Sequence, residues 1–235
     1  LASALANSKK KVLVIDLDPQ ANATSGLGID KEQDHNVYDL LINGNKDTIL
    51  NTENKKLDLI PSNGDLAGIE IELSRENNWQ YRLKDSIEDI KANYDYCLID
   101  SPPSLGVLSM IALVASDSII IPVQCEYYAL EGVGQLMSTI SLIRDTFNSD
   151  LQVEGVVLCM YDGRTNLSIQ VADEVKGFFE DKVYKTVIPR NVRLAEAPSF
   201  GMSIFEYDPN SKGAKAYLSL AKEVIKRDKK SWKRL

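Results

Sequence analysis

Residues 11–28, KVLVIDLDPQANATSGLG, predict the fold more directly than any other stretch of the chain. The stretch begins with a short apolar run rich in Val and Ile, which is typical of a buried β-strand. The run ends in Asp16, and a polar loop containing Pro19 and two glycines follows. In a parallel sheet the functional residues lie beyond the carboxyl ends of the strands. The stretch therefore predicts a central strand followed by a functional loop.

The same pattern recurs along the chain. Five further short apolar runs predict strands, over residues 57–62, 94–100, 118–123, 153–161 and 183–189. Apolar residues recur at helical spacing between or after these runs, over residues 130–147, 167–178 and 217–232. Strands that alternate with helices predict one α/β domain over residues 1–235, a doubly wound, mainly parallel sheet with helices on both faces. The polar residues 43–54 predict a surface excursion.

Composition excludes several classes of protein. The chain has 235 residues, 44% hydrophobic and 26% charged, which are ordinary globular values, and no apolar run approaches the length of a membrane span. Three widely spaced cysteines and a single histidine argue against a zinc or iron–sulfur site and indicate a reducing compartment. The net charge of −7 argues against a nucleic-acid partner. The basic residues 222–235 are either a solvated helix end or a contact for nucleic acid or acidic lipid.

Carboxylates follow two of the predicted strands. Asp16 and Asp18 follow the first strand, in the run D-x-D-P-Q-x-N-x-T, and Asp100 ends the strand over residues 94–100. Two carboxylates at a strand end can hold a hydrated cation or orient a water molecule, and a strand that ends in Asp fits a magnesium position. A polar turn with a capping Asp explains either feature alone. The complete nine-residue run is much more specific.

Other charged residues also follow predicted strands. Glu126 precedes a predicted helix, where capping of the helix explains it simply. Arg164, Arg190 and Arg193 lie in predicted loops, where arginines are commonly just solvated. If the three cluster, they form a local basic patch, and such a patch binds DNA even on an acidic protein because salt screens distant charges.

Five stretches, in this order, resemble the ParA/Soj chromosome-partitioning ATPases, which share a deviant Walker A motif with MinD. They are residues 16–28, 94–106 (YDYCLIDSPPSLG), 122–132 (PVQCEYYALEG), 162–167 (DGRTNL) and 186–201 (TVIPRNVRLAEAPSFG). The resemblance covers nearly the whole chain, and the Pro-Gln of DLDPQ distinguishes ParA-like proteins from MinD. It implies a cytoplasmic, nucleoid-associated ATPase that uses ATP and Mg²⁺. The ATP-bound homodimer would bind double-stranded DNA without sequence preference, and a ParB-type protein would stimulate hydrolysis, with no membrane partner.

The resemblance also implies roles for individual residues at the nucleotide. Asp18 resembles the switch I aspartate that orients the attacking water. Asp16 would support the magnesium shell, with Pro19 and Gln20 completing that nucleotide-binding turn. Asp100 resembles the Walker B aspartate, a ligand to Mg²⁺.

The remaining implied roles concern the base, the DNA and the dimer. Pro189, Arg190 and Asn191 resemble the loop that packs on adenine. Arg164 and Arg193 match the family's DNA-binding arginines. Glu126 lies in the stretch beside the dimer face, and Pro103 belongs to a rigid turn that could couple the metal site to the next helix.

One part of the family pattern does not occur in the chain. The phosphate loop K-G-G-x-G-K-[ST] is not found among residues 1–235. We expect it, with the first strand, to precede LASALA at residues 1–6, so that these residues form the end of a helix and the sheet contains a slot with unpaired backbone groups. Two alternatives to a partitioning ATPase remain at this point, a MinD-like membrane-positioning ATPase and a truncated scaffold that binds partners without hydrolysis.

Overall fold

The computed structural model describes residues 1–73, 75–126 and 129–231. Its strands are β1 (Val12–Asp16), β2 (Leu50–Asn51), β3 (Leu57–Ile60), β4 (Tyr96–Asp100), β5 (Ser118–Gln124) and β6 (Gln152–Cys159). Its α-helices are α1 (Ala2–Asn7), α2 (Asn22–Gly26), α3 (Val37–Asn43), α4 (Ile69–Leu73), α5 (Arg82–Lys91), α6 (Val107–Ala115), α7 (Ala129–Thr146), α8 (Asn166–Phe179), α9 (Val192–Glu196), α10 (Ile204–Tyr207) and α11 (Lys212–Ser231).

The strands form two sheets. A four-stranded sheet has the order β2-β3-β1-β4, and a two-stranded sheet pairs β5 with β6. The pairs β1–β3, β1–β4 and β5–β6 are parallel, whereas β2 runs antiparallel to β3 at the edge. The predicted α/β class with a mainly parallel sheet is confirmed. The surface excursion predicted over residues 43–54 contains β2, an edge strand too short to show a periodic apolar signal.

The helices cover both faces of the sheets, as predicted. Side chains of β1 alternate between two cores, because successive residues of a strand point to opposite faces. Leu13 and Ile15 pack in a core that includes residues of α3, α5 and α6. Val12 and Val14 pack in a second core, formed with residues of α1 and α11. A third core joins β5 and β6 to α7 and α8.

The helix α11 packs on the second core through its apolar face. Leu220 and Val224 are buried there, as their helical spacing predicts. Trp232, the last residue of the predicted apolar spacing over residues 217–232, lies outside the described residues. No helix in the described part of the chain is long and apolar enough to span a membrane.

Two predictions about regular structure need correction. The apolar spacing predicted over residues 167–178 ends at the wrong phenylalanine. The buried face of α8 contains Val171, Val175 and Phe179, whereas Phe178 is exposed. Residues 183–189 do not form a strand. They make isolated parallel bridges to β6 at Val183 and to Tyr161 at Pro189.

Hydrogen bonds explain why residues 183–189 are irregular. The amides of Lys185 and Thr186, in the middle of the run, donate to the Glu223 carboxylate at 2.9 and 3.0 Å. After the Tyr184 amide, which donates to Val156 of β6, the next amide that would face β6 in a regular strand is that of Thr186, and it donates to Glu223 instead. Pairing with β6 resumes only at Ile188, whose amide donates to the Leu158 carbonyl at 2.8 Å, so the run makes isolated bridges and no continuous strand.

A cleft of about 1350 Å³ separates β4 from β5. Its lining includes residues 94–101 around β4, residues 116–120 of the β5 segment, and residues of α1 and α11. Among the described residues, β4 pairs with β1 and β5 pairs with β6. One edge of β4 and one edge of β5 therefore form no sheet hydrogen bonds within the described part of the chain. The interruption of the sheet that the sequence predicts lies between these two edges.

Candidate active site

The carboxyl ends of β1 and β4 lie side by side. The two strands are parallel, and Asp16 is the register partner of Asp100. The pairing continues for one more residue, because the Leu17 amide donates to the Asp100 carbonyl at 2.8 Å. The loop that carries Asp18 therefore begins next to Asp100. The structure thus brings together the three carboxylates that the sequence placed at strand ends.

Asp16 is fully buried and surrounded by hydrogen-bond donors. Its Oδ2 accepts from the Thr24 amide at 2.8 Å and from the Thr24 hydroxyl at 2.7 Å, and its Oδ1 accepts from the Asp18 amide at 3.2 Å. A buried charge requires such partners. Asp16 thus connects the end of β1 to the start of α2. Its predicted part in a magnesium shell stays a prediction.

Asp18 is only partly buried, and its loop is turned tightly. The Asp18 Oδ1 accepts from the Gln20 amide at 2.9 Å, and the Asp18 carbonyl accepts from the Ala21 amide at 2.9 Å. Pro19 lies between them, and the exposed Gln20 accepts a hydrogen bond from Lys31 through its carbonyl at 2.5 Å. The loop therefore presents Asp18 and Gln20 towards solvent at the strand ends.

Asp100 has an unusual charge environment. Desolvation in the cleft and the neighbouring charges of Asp16 and Asp18 raise its pKa to about 6. A carboxyl group whose charge is disfavoured in this way binds a cation favourably, since the cation offsets the repulsion between carboxylates. This environment fits the predicted magnesium ligand.

In the described part of the chain, no three acidic, cysteine or histidine side chains converge closely enough to hold a metal ion by themselves. Magnesium in nucleotide-binding proteins is commonly held by one or two carboxylates together with phosphates and water. The arrangement around Asp100 is therefore compatible with magnesium that arrives with a nucleotide. It does not fit a metal site made of protein ligands alone.

The predicted adenine loop is held against the end of β6. The Tyr161 amide donates to the Ile188 carbonyl at 3.1 Å, and the Arg190 amide donates to the Tyr161 carbonyl at 3.0 Å. Pro189 is half-buried between them. The Oδ1 atom of Asn191 is buried and has no partner among the described residues. A buried acceptor without a donor fits a ligand that offers an N–H group, as an adenine amino group does.

An ion pair links this loop to the end of β5. Arg190 donates to Glu126 at 2.7 Å, and both side chains are about half exposed. Glu126 is therefore paired with Arg190 across the sheet edge, so its position before a helix is not its whole structural role. Pro103 is exposed in the segment after β4. Residues 127 and 128 of the predicted dimer-face stretch lie outside the described residues.

Arg164 is paired with Asp162, whose pKa the charge of Arg190 also lowers. Arg164 makes two side-chain hydrogen bonds to the Asp162 carboxylate, at 2.9 and 2.7 Å. Together with the Arg164 backbone amide and the charge of Arg190, these contacts lower the pKa of Asp162 to about 2. The Arg164 side chain is 89% exposed despite this pairing. It is therefore open to a large ligand.

Arg193 has a different setting from the one predicted. It lies in the short helix α9 and not in a loop. Its guanidinium donates to Glu196 at 2.9 Å, lies 3.6 Å from Asp208 and stands over the Tyr207 ring. Of the three predicted arginines, Arg164 and Arg190 both lower the pKa of Asp162, whereas Arg193 pairs with Glu196 and Asp208.

Sequence reasoning missed two residues of the site. Thr24 ends the run D-x-D-P-Q-x-N-x-T but received no role, and Ser62 follows β3. The Ser62 amide donates to the Thr24 hydroxyl at 3.0 Å. The signal for Thr24 was its place in the motif. Nothing in the sequence near Ser62 indicates its contact, because the two residues are far apart in the chain.

Comparisons with known proteins find relatives along nearly the whole chain. The AAA_31 family model, described as an AAA domain, matches residues 1–153. The chain is 57% identical over 227 residues to the sporulation initiation inhibitor protein Soj of Bacillus subtilis, covering 95% of this chain and 90% of that protein. It is 50% identical over 234 residues to the chromosome partitioning protein ParA of Caulobacter vibrioides, covering 97% and 88%.

A solved structure shares the fold. The cobyrinic acid a,c-diamide synthase of Mycobacterium smegmatis, crystallised with ADP and magnesium, superposes with a TM-score of 0.84 at 33% identity and covers 97% of this chain and 87% of its own. The sequence identity to Soj and ParA over almost the whole chain, together with the paired strand ends at Asp16 and Asp100, identifies the chain as a member of the ParA/Soj family of chromosome-partitioning ATPases.

Proposed function

We propose that this protein is a DNA-partitioning ATPase that hydrolyses ATP to ADP and phosphate and changes its partners with the bound nucleotide. The observation that carries the proposal is the convergence of the Asp18 loop and Asp100 at one edge of the sheet, beside the cleft. Family membership supports the same reading. The two carboxylates have different surroundings, which suits them to different roles.

Asp18 is the residue that we assign to the attacking water. Asp18 is partly exposed, and its Oδ1 accepts from the Gln20 amide, whereas its Oδ2 accepts no hydrogen bond from the described residues and can accept one from water. Asp100 is the residue that holds magnesium, with Asp16 predicted nearby. When bound, Mg²⁺ neutralises the charge that develops on the phosphates.

The adenine would lie on residues 189–191. Pro189 offers an apolar surface, and the buried Oδ1 of Asn191 would accept a hydrogen bond from the base. Arg190 is held to Glu126, so the base-binding loop is tied to the end of β5. Through this ion pair, a nucleotide bound at residues 189–191 would affect the segment that precedes α7.

The phosphates need a separate cradle of backbone amides. We propose that the cleft between β4 and β5 accepts one further parallel strand, since each bordering strand keeps an edge outside the sheet hydrogen bonding. A phosphate loop of the family's K-G-G-x-G-K-[ST] kind would follow that strand. It would then emerge at the carboxyl edge, beside Asp100.

We propose DNA and a second copy of the chain as the partners of the ATP-bound form. Arg164 and Arg193 are exposed enough to contact phosphate groups, and such contacts carry no sequence preference. Glu126 and Pro103 would lie near the dimer face, and a ParB-type protein would stimulate hydrolysis. Such a protein would be associated with the nucleoid.

The test is phosphate release by the protein expressed from its complete reading frame, with ATP, Mg²⁺, DNA and a ParB-type partner. We expect Asp18→Asn to abolish stimulated hydrolysis while nucleotide still binds, and Asp100→Asn to weaken magnesium-dependent binding. Asp34→Asn, a change of an exposed aspartate, is the matched control.

Two results would contradict the proposal. Background phosphate release by the wild-type protein would identify a scaffold that does not hydrolyse ATP. Flotation of the protein with liposomes in ATP would indicate a MinD-like membrane-positioning ATPase. The burial of Leu220 and Val224 against the core argues against the second result, because these residues cannot also insert into lipid.

A further inference from the structure

Thr24 is completely buried, although it belongs to a loop motif that carries surface chemistry. Its amide and its hydroxyl both donate to Oδ2 of Asp16, which is also completely buried. Its hydroxyl oxygen in turn accepts a hydrogen bond from the Ser62 amide at 3.0 Å. The threonine hydroxyl thus serves as donor and acceptor at once, between the end of β1 and the residues after β3.

The second oxygen of Asp16 faces the loop. Asp16 Oδ1 accepts from the Asp18 amide, so one carboxylate holds both the residue that we assign to the water and the start of α2. Between these two points the chain passes through Ala21, whose φ of 52° lies in the left-handed region that L residues rarely adopt. A loop held in such a conformation needs contacts on both sides of the strained residue.

We propose that Asp16 and Thr24 form a positioning clamp for Asp18, and that the carboxylate of Asp16 serves this clamp and is not a ligand to magnesium. The inference rests on the proposed function, since Asp18 is assigned there to the attacking water. Thr24 then acts through Asp16 and Ser62 and touches no nucleotide. Misplacing a reacting group by about 1 Å can lower a rate on the order of 100-fold, so a loosened clamp reduces turnover before it affects binding.

The experiment compares Thr24→Val, Thr24→Ser and Thr48→Val in the protein expressed from its complete reading frame. Serine keeps the hydroxyl, whereas valine has nearly the same shape without it. Thr48 is also completely buried, and its hydroxyl donates to the Asn45 carbonyl at 3.4 Å, so Thr48→Val controls for the loss of a buried hydroxyl elsewhere in the protein. The readouts are kcat and KM for ATP, magnesium dependence, the melting temperature and amide exchange at Ser62.

We expect Thr24→Val to lower kcat on the order of tenfold or more with KM and the magnesium dependence changed by less than about twofold. Thr24→Ser should keep at least about half of the wild-type kcat, and Thr48→Val should equal wild type in kcat. Exchange at the Ser62 amide should speed up in Thr24→Val alone. If Thr24→Val does not fold, Thr24→Ala, which introduces no extra atoms, replaces it with the same expectations.

Three results would overturn the clamp. One is a Thr24→Val protein with wild-type kcat and only a lower melting temperature. A second is a Thr24→Ser protein as slow as Thr24→Val. The third is a loss confined to magnesium affinity, which would assign Asp16 to the metal. If the wild-type protein does not hydrolyse ATP, the proposed function fails, and the clamp is then judged by exchange at Ser62, which must differ between Thr24→Val and Thr24→Ser.

Discussion

Gly28 and Gly201 lie in direct backbone contact, although they are far apart in the chain. A methyl group on Gly28 would lie 2.7 Å from the Gly201 carbonyl oxygen, and one on Gly201 would lie 2.9 Å from the Gly28 Cα. Both residues have positive φ, +78° and +63°. This contact joins the end of the Asp18 loop segment to the end of the segment that carries Arg193.

We expect Gly28→Ala to destabilise the fold by about 2–4 kcal/mol, because strain at positive φ adds to a collision with backbone that cannot move aside. Gly44→Ala is the matched control, since Gly44 has a φ of +65° with nothing within 4 Å. It should cost only about 1 kcal/mol. Urea unfolding measures both, and equal losses for the two variants would show that the contact with Gly201 is unimportant.

Arg227 should contribute more to stability than its position on the last helix suggests. Its guanidinium donates to the carbonyls of Lys182 and Val183 at 3.1 and 2.9 Å and stacks 4.1 Å from the centre of the Tyr184 ring. We expect Arg227→Ala to cost about 2–4 kcal/mol, since it removes the hydrogen bonds to these carbonyls and the stacking on Tyr184. Lys226→Ala, at an exposed site on the same helix, should change stability by less than about 0.5 kcal/mol in the same urea titration.

Asp100→Asn should stabilise the nucleotide-free protein in a pH-dependent way. The folded state raises the pKa of Asp100 to about 6, above the ordinary value near 4. Between these two values the folded state binds more protons than the unfolded state, so this carboxyl lowers stability as the pH rises through the window. The variant should therefore melt higher than wild type above pH 6 and equally below pH 4, without magnesium. A difference in melting temperature that does not vary with pH would contradict the raised pKa.

Arg164→Ala and Arg193→Ala should weaken binding to DNA equally for all sequences. Each loss of a phosphate contact should reduce the slope of log affinity against log salt by about 0.9. Arg144→Ala, an exposed arginine on α7, is the control. Fluorescence anisotropy with two unrelated duplexes at several salt concentrations measures the effect. A sequence-dependent loss, or an unchanged slope in the double variant, would place the DNA surface elsewhere.

Local patterns predicted much of the fold and part of the site. The alternation of Val12 to Ile15 between two cores follows from the two-residue period of a strand, so β1 and its neighbours were readable from apolar runs. Residues 183–189 show the same kind of run, and the prediction was wrong there because the Glu223 carboxylate, 37 or 38 residues away in the chain, binds two of the amides. Side-chain capture of a backbone leaves no local signal.

The amino-acid sequence by itself determined the α/β class, the family and the placement of Asp16, Asp18 and Asp100 at strand ends, because apolar period, turn residues and motif spacing are local properties. Only the tertiary structure decided how those residues are used. The hydrogen bonds from Thr24 to Asp16 and from Ser62 to Thr24, and the ion pair of Glu126 with Arg190, form between segments that meet only when the sheet assembles. Their geometry depends on strand register and helix packing, which no short stretch of sequence specifies.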